Sequence, residues 1–456
     1  MCRVKRGISF FVIAVIAAIM VSTTVSGAFS AERVLSLREC IDLAVENNPD
    51  MGMARQSLKK SESNVLASYG SLLPNLQMDF YAGHRYYGPS SVLIDDSGRP
   101  VQSQGFDYED YTFRIGSDIV LWDGGANYAR IRQSNHNREG AKEELQYNYD
   151  MITATVIRAY YNLVRYKRLT VVAEESVEQA LQSLERTEAL LEVGSATRAD
   201  LLKAKVLHSN TKLDLIKATN AVEIAREDLI AVLNIDDYTE LGVDTTLSMD
   251  MTHPDPVSEI DFAMQNRSDL RGLRAYLEGA DAGVRVAKSG WLPTFGANFG
   301  YYWSDREMAD NLNFFKEEYS WNVTAYMRLN VFDRFWTSSN VKTAKADHRI
   351  TEYQLEKSRV NAVREIKSLI IVINEAIERV AVATETVEQA EEDVRLAEER
   401  YRVGAGTMLD TISAQVSLTQ AKADVIGAKC DYLVAVADLD RATGKESRLR
   451  AGLEED

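Results

Sequence analysis

The sequence predicts an α+β membrane protein. Four strands per chain contribute to a β-barrel shared between copies, continuous with a long α-helical coiled coil, and the whole is built from two tandem repeats. Three observations carry this reading. Ordered matches recur along the chain at a nearly fixed offset. Four segments alternate apolar and polar residues. Two long stretches almost lack glycine and proline and space their apolar residues by threes and fours.

The repeat sets the domain boundaries. Val193-Gly194, Thr197, Asp200, Ala204 and Val206 match Val403-Gly404, Thr407, Asp410, Ala414 and Val416, each pair 210 positions apart, as are Leu121-Trp122-Asp123 and Val331-Phe332-Asp333. Upstream, Leu73-Pro74 matches Leu292-Pro293, and Ala44 and Asp50 match Ala263 and Asp269, all 219 apart. The nine-residue difference falls between Pro74 and Trp122. A longer loop there carries Gly88-Pro89-Ser90-Ser91 and Asp95-Asp96-Ser97-Gly98-Arg99-Pro100, both turn signals. The expected division is repeat 1 over 31–245, repeat 2 over 246–445 and a tail over 446–456.

Residues 1–30 read as a secretory signal: Arg3, Lys5 and Arg6, then an apolar run from Ile8 to Val21, then small residues. Its removal would shift the net charge from -16 to -19. So acidic a chain is not a nucleic-acid binder, because phosphate recognition needs clustered positive charge. Past the signal, no apolar run approaches the ~20 residues of a spanning helix, so membrane entry would require a β-barrel. Cys40 and Cys430 are too few for a disulfide scaffold; they could pair or stand as isolated thiols in helices.

Each repeat opens with a short helix (about 37–47 and 257–266), followed by a second (about 50–71 and 269–290). Asn48-Pro49-Asp50 and Ser268-Asp269 are the expected caps, and Leu-Pro is the stop. The β-hairpins are expected over about 75–123 and 294–332. In the first, Leu76, Met78, Phe80 and Ala82, with Tyr111, Phe113, Ile115, Ile119 and Leu121, form the apolar face. In the second, Phe295, Ala297, Phe299, Tyr301 and Trp303 do so, with Trp321, Val323, Ala325, Met327, Leu329 and Val331. Aromatic residues gather at the strand ends. Tyr86, Tyr87, Trp303 and Trp321 at one end, and Trp122 and Phe332 at the other, are expected at the membrane–water interfaces. Four strands cannot close a barrel that starts at about eight, and open edges cannot face lipid, so several copies must share one.

Long helices follow, over about 126–192 and 335–402, with return helices over about 197–234 and 407–442. The second long helix carries its stripe on Val363, Ile366, Ile370, Ile373, Ile377, Val380, Thr384, Val387, Ala390, Val394, Ala397 and Tyr401. Between Phe335 and Val403 it would reach about 100 Å. Gly194 and Gly404 suit left-handed helix ends, and Thr197 and Thr407 suit caps for the return helices. Asp200 and Asp410 are first-turn acids, and in a ring of chains they would face one another as a constriction.

With the repeat, the Leu-Pro pairs, Trp122-Asp123-Gly124-Gly125 and the two Val-Gly-x-x-Thr-x-x-Asp tips, the chain resembles the outer-membrane efflux protein family, the TolC-like channels, over nearly all of 34–445. The resemblance implies a homotrimer with a 12-stranded barrel, four strands per chain, in the outer membrane of a Gram-negative bacterium. It further implies a helical tunnel through the periplasm, an equatorial belt holding 235–256, and no cofactor. The partners would be a periplasmic adaptor protein and an inner-membrane transporter of RND or ABC type. It places Val193, Gly194, Thr197, Val403, Gly404 and Thr407 at the adaptor contact, and Tyr401, Asp410 and Asp200 at the periplasmic gate. Family members often carry a basic residue two positions after the second-tip glycine, and some carry a second acid three after the first. Gly406 and Ser413 stand there instead.

The function expected is a passive exit duct for efflux or type I secretion; the alternative is a periplasmic coiled-coil adaptor or stalk without its own pore. An enzyme is not expected. His84, His136, His208, His253 and His348 lack metal-ligand spacing, and no phosphate loop or nucleophile elbow occurs, so no catalytic residue and no metal ligand is assigned.

Overall fold

The computed structural model describes residues 33–89, 93–94, 96–98, 100–101, 105–235, 241–247, 249, 251–307 and 315–446. The signal segment 1–30, parts of the loop turn signals and of 235–256, and residues 447–456 of the tail lie outside them.

A short strand β1 (Arg33–Leu35) precedes helices α1 (Leu37–Asn47) and α2 (Pro49–Gly70). Ser36 and Glu39 form a reciprocal capping box on α1, and the Asn48 side chain accepts from Asp50 N at 2.8 Å to start α2, with Pro49 at its first position. The first hairpin is β2 (Gln77–Tyr87) and β5 (Phe106–Trp122), with a small ribbon, β3 (Leu93–Ile94) and β4 (Pro100–Val101), in the loop between them. The long helix α3 (Ala126–Glu192) has 67 residues and the return helix α4 (Arg198–Leu233) has 36. After β6 (Leu241–Val243) come α5 (Pro256–Asn266) and α6 (Ser268–Lys288), then strands β7 (Thr294–Asp305) and β8 (Tyr319–Arg328). The chain ends in α7 (Trp336–Arg402), again 67 residues, and α8 (Met408–Thr443), again 36.

Ser268 does not cap α6 as expected. Arg267 occupies the cap position without a side-chain cap bond, and Ser268 is the first helical residue. The Ser268 hydroxyl donates to the Asp150 carboxylate (3.1 Å), while Arg267 spans Asp269 (2.8 Å), Glu365 (2.7 Å) and the Ala442 carbonyl (3.1 Å). A nearly buried guanidinium with three acceptors outweighs a serine cap worth about 1 kcal/mol.

Where α3 crosses α6, the backbones approach at glycines. A Cβ on Gly140 would stand 2.6 Å from the Tyr276 ring, and one on Gly272 would stand 3.5 Å from the Gly140 carbonyl. The seam of α7 follows the expected spacing, with Ile366, Ile370, Ile373, Val380, Ala390 and Ala397 buried. One slot differs: Ala383 is buried there, and Thr384 is exposed with its hydroxyl returned to the Val380 carbonyl (2.7 Å).

The main apolar core lies midway along the two long helices and at the C-terminal ends of the return helices. There Ile41 of α1, Leu163 of α3, Leu229 and Leu233 of α4, Ile373 of α7 and Leu439 of α8 meet under the parallel β1–β6 pair. Cys40 and Cys430 are both buried and unpaired; burial pushes both thiols up, Cys40 to about 12 with help from Glu39.

The large sheet runs β2-β5-β7-β8, antiparallel throughout. Leu121 and Trp122 interrupt the β5–β7 register with a bulge. Strict alternation would put Trp122 on the face opposite Leu121, but the bulge re-aims it, so that its ring lies 5.7 Å from Phe295. Strand β8 ends at Arg328, short of the expected Val331. No helix among the described residues is long and apolar enough to cross a membrane.

Candidate functional site

The sheet buries little of itself. On its apolar face Met78, Phe80, Leu121, Trp321, Val323 and Met327 are each more than half exposed within the chain. A water-soluble domain would cover such a band, and at the strand lengths seen it suits lipid. Of the six interface aromatics, Tyr86, Tyr87, Trp122, Trp321 and Phe332 are exposed. Trp303 departs from expectation. It is 2 % exposed, on the same face as Phe113, and Phe315 from the loop before β8 packs on Phe113 (6.0 Å) and Tyr301 (5.6 Å). Aromatic rings cover one another before they meet lipid.

The two hairpin tips are built alike. At the first, Gly194 takes φ +77° and donates to the Leu191 carbonyl (3.0 Å), while Ser195 N donates to the Leu190 carbonyl (2.8 Å). At the second, Gly404 takes φ +76° and donates to the Tyr401 carbonyl (3.1 Å), while Ala405 N donates to the Arg400 carbonyl (2.8 Å). These are left-handed helix closures that favour glycine. Val193 and Val403 project from them, 74 % and 68 % exposed. Thr197 and Thr407 then cap the return helices, accepting from Asp200 N (3.2 Å) and Asp410 N (3.3 Å). Each acid answers its threonine, accepting from the hydroxyl at 2.6 Å (Asp200) and 2.8 Å (Asp410).

These bonds hold both carboxyls below the usual carboxylate range. The Thr197 hydroxyl leads for Asp200, and the Thr407 backbone N–H leads for Asp410. Tyr401, half-buried, lies beside Thr187 and feels the Asp200 charge; burial pushes its phenol up. Tyr401 on α7 thus lies within range of the Asp200 charge on α4, and Asp410 is exposed with Arg400 as its charge neighbour. Gly406 contributes no charge, and a Cβ there would stand 3.0 Å from Arg400 Cβ.

Polar clasps between the hairpins were not legible in the sequence. Arg186 donates to Glu398 (3.1 Å), Lys422 to Glu175 (2.8 Å), and Met408 is buried against Thr187. In a charge-rich helix every turn offers such residues, and only the packing of α3 on α8, which brings the two hairpins together, selects these. No group of three or more His, Cys, Asp or Glu able to hold a metal occurs among the described residues.

A lipid-patterned, open-edged sheet carried on long helical hairpins fits the class of outer-membrane channel proteins. The family model described as "Outer membrane efflux protein" matches residues 40–234 and 260–445, and the chain belongs to that family. It is 23 % identical over 425 residues to outer membrane protein TolC of Vibrio cholerae, covering 92 % of each chain. It is 22 % identical to the cobalt-zinc-cadmium resistance protein CzcC of Cupriavidus metallidurans, covering 90 % of each. Among solved structures the fold is similar to CusC (TM-score 0.77, 16 % identity, 90 % of this chain and 92 % of that one) and to the Campylobacter jejuni CmeC outer membrane channel (0.76, 17 %, 92 % and 88 %). The chain is an outer-membrane exit duct reaching into the periplasm, a channel of the efflux and type I secretion kind. The alternative of a stalk without a pore is set aside on the same ground.

Proposed function

We propose that three copies assemble side by side, four strands each, into a 12-stranded barrel, with the hairpins of α3–α4 and α7–α8 forming the tube below it. The observation that carries this is the sheet itself: β2 and β8 are both edges, and Met78, Phe80, Leu121, Trp321, Val323 and Met327 on the apolar face between them stay exposed within the chain. The chain then reads as two tandem repeats, 31–245 and 246–445, a reading supported by helices of 67 and 36 residues in each. The glycine tips at 194 and 404 meet a periplasmic adaptor through Val193, Thr197, Val403 and Thr407, and the adaptor joins the duct to an inner-membrane transporter of RND or ABC type. Tyr401, Asp200 and Asp410 ring the periplasmic aperture. The acidic chain makes the periplasmic tube favour cations.

The test is single-channel recording in planar bilayers. The purified mature chain should give small, steady conductance, and Asp410→Ala should raise it. Asp410→Asn, which retains an N3 acceptor for the cap, separates loss of charge from loss of the turn. Unchanged conductance in both variants would remove Asp410 from the aperture.

A further inference from the structure

The face of the sheet opposite the lipid face carries a pattern that passive conduction does not require. On β7 every second residue facing inward from Gly296 to Tyr302 is glycine, asparagine, glycine and tyrosine, and two tyrosine rings lie over the two glycines. A Cβ on Gly296 would stand 2.5 Å from Tyr326 Cζ, and one on Gly300 would stand 2.6 Å from the Tyr302 ring. The rings therefore lie flat on the wall, a covering that glycine permits within a strand. Each ring has a guanidinium above it. Arg114 Cζ is 5.1 Å from the Tyr302 centroid, and Arg328 Cζ is 5.7 Å from that of Tyr326.

Both guanidiniums are exposed, and among the described residues neither pairs with a carboxylate. Of the neighbouring carboxylates, Asp110 pairs with Arg85 (2.9 Å), while Asp118 accepts from the Tyr326 hydroxyl (3.3 Å) and Asp79, opposite Arg114 on β2, from the Gln77 amide (3.1 Å). The two rings cover glycines four residues apart along β7, about 14 Å.

We propose that these stacks are two successive contact points for flat, aromatic anions passing through the barrel. An unpaired guanidinium plane attracts the negative group, and the flat guanidinium and phenol faces accept the ring. The barrel would then differ from the acidic tube beneath it, holding aromatic anions at the exit. This rests on the reading that the sheet lines a pore.

The experiment uses the full mature chain in planar bilayers, with 2-naphthalenesulfonate and butanesulfonate as probes of equal charge. Wild-type current should be blocked by the naphthyl probe at concentrations lower by about tenfold than by the butyl one, equivalent to about 1.4 kcal/mol, the scale of one cation–π contact. The double variant Arg114→Gln with Arg328→Gln should lose block by both probes at unaltered or raised unit conductance. Arg114→Lys with Arg328→Lys should keep attraction for both and narrow the preference between them, since an ammonium lacks the flat stacking face, and it decides the matter if the glutamine variant forms no channels. Equal block of wild type by the two probes, or a preference undiminished in either double variant, overturns the proposal. Absence of any conductance in wild type instead overturns the pore reading on which it rests.

Discussion

Thr407 and Asp410 hold each other at the start of α8, and Thr197 and Asp200 do the same for α4. Each capping threonine sits three positions after a left-handed glycine, so five residues, 193–197 and 403–407, reverse the chain and restart the helix. Replacing Thr407 by Ala should cost about 1 kcal/mol locally, read as lost amide protection in the first turn of α8 by hydrogen exchange. The pH dependence has a defined sign. Carboxyl values held low in the folded tip give stability that is fully present above the ordinary carboxylate range and is lost as pH falls through the lowered values. First-turn protection, corrected for intrinsic exchange, should be flat from about pH 8 to 5 and fall below about pH 4. Asp200→Asn and Asp410→Asn should remove the fall; a fall that persists in them would assign it elsewhere.

At the level of the element, Gly140 sets two effects against each other. Alanine is a better helix former than glycine by about 1 kcal/mol. Here its methyl would enter the Tyr276 ring, which is held at Glu144 (3.1 Å). Overpacking of this sort costs about 1–3 kcal/mol, so Gly140→Ala should lower the thermal midpoint. Adding Tyr276→Leu, which takes away the ring, should recover part of the loss. The long helices were legible in the sequence because their limits are chemical: glycine turns at one end and Leu-Pro or Trp-Asp-Gly-Gly punctuation at the other. The parallel β1–β6 pair was not, because Arg33 and Leu241 meet across the fold and three-residue strands carry no periodicity. Nor was the burial of Trp303, which depends on where Phe315 of a separate loop comes to rest. The Trp122 bulge hid for another reason: alternation registers which residues are apolar, and a single inserted residue changes which way they point.

For the whole molecule, the prediction concerns assembly. Detergent extracts of the outer membrane should yield a species three times the chain mass that resists heating in the absence of reductant and equally in its presence, since Cys40 and Cys430 are buried and unpaired. A monodisperse monomer with no affinity for detergent would contradict the shared barrel. The candidate aperture was legible only in part. The tips and their acids follow from spacing, while the Arg186–Glu398 and Glu175–Lys422 clasps arise only when hairpins pack.

The two unsatisfied margins of the sheet, β2 and β8, also have a genetic meaning. A subunit whose β8 margin is spoiled, for instance by proline at Val323, still offers a sound β2 margin to a healthy neighbour. In a cell making both versions, most rings would include at least one faulty seam. Such an allele should therefore act dominantly, sensitising a strain that retains a full working gene.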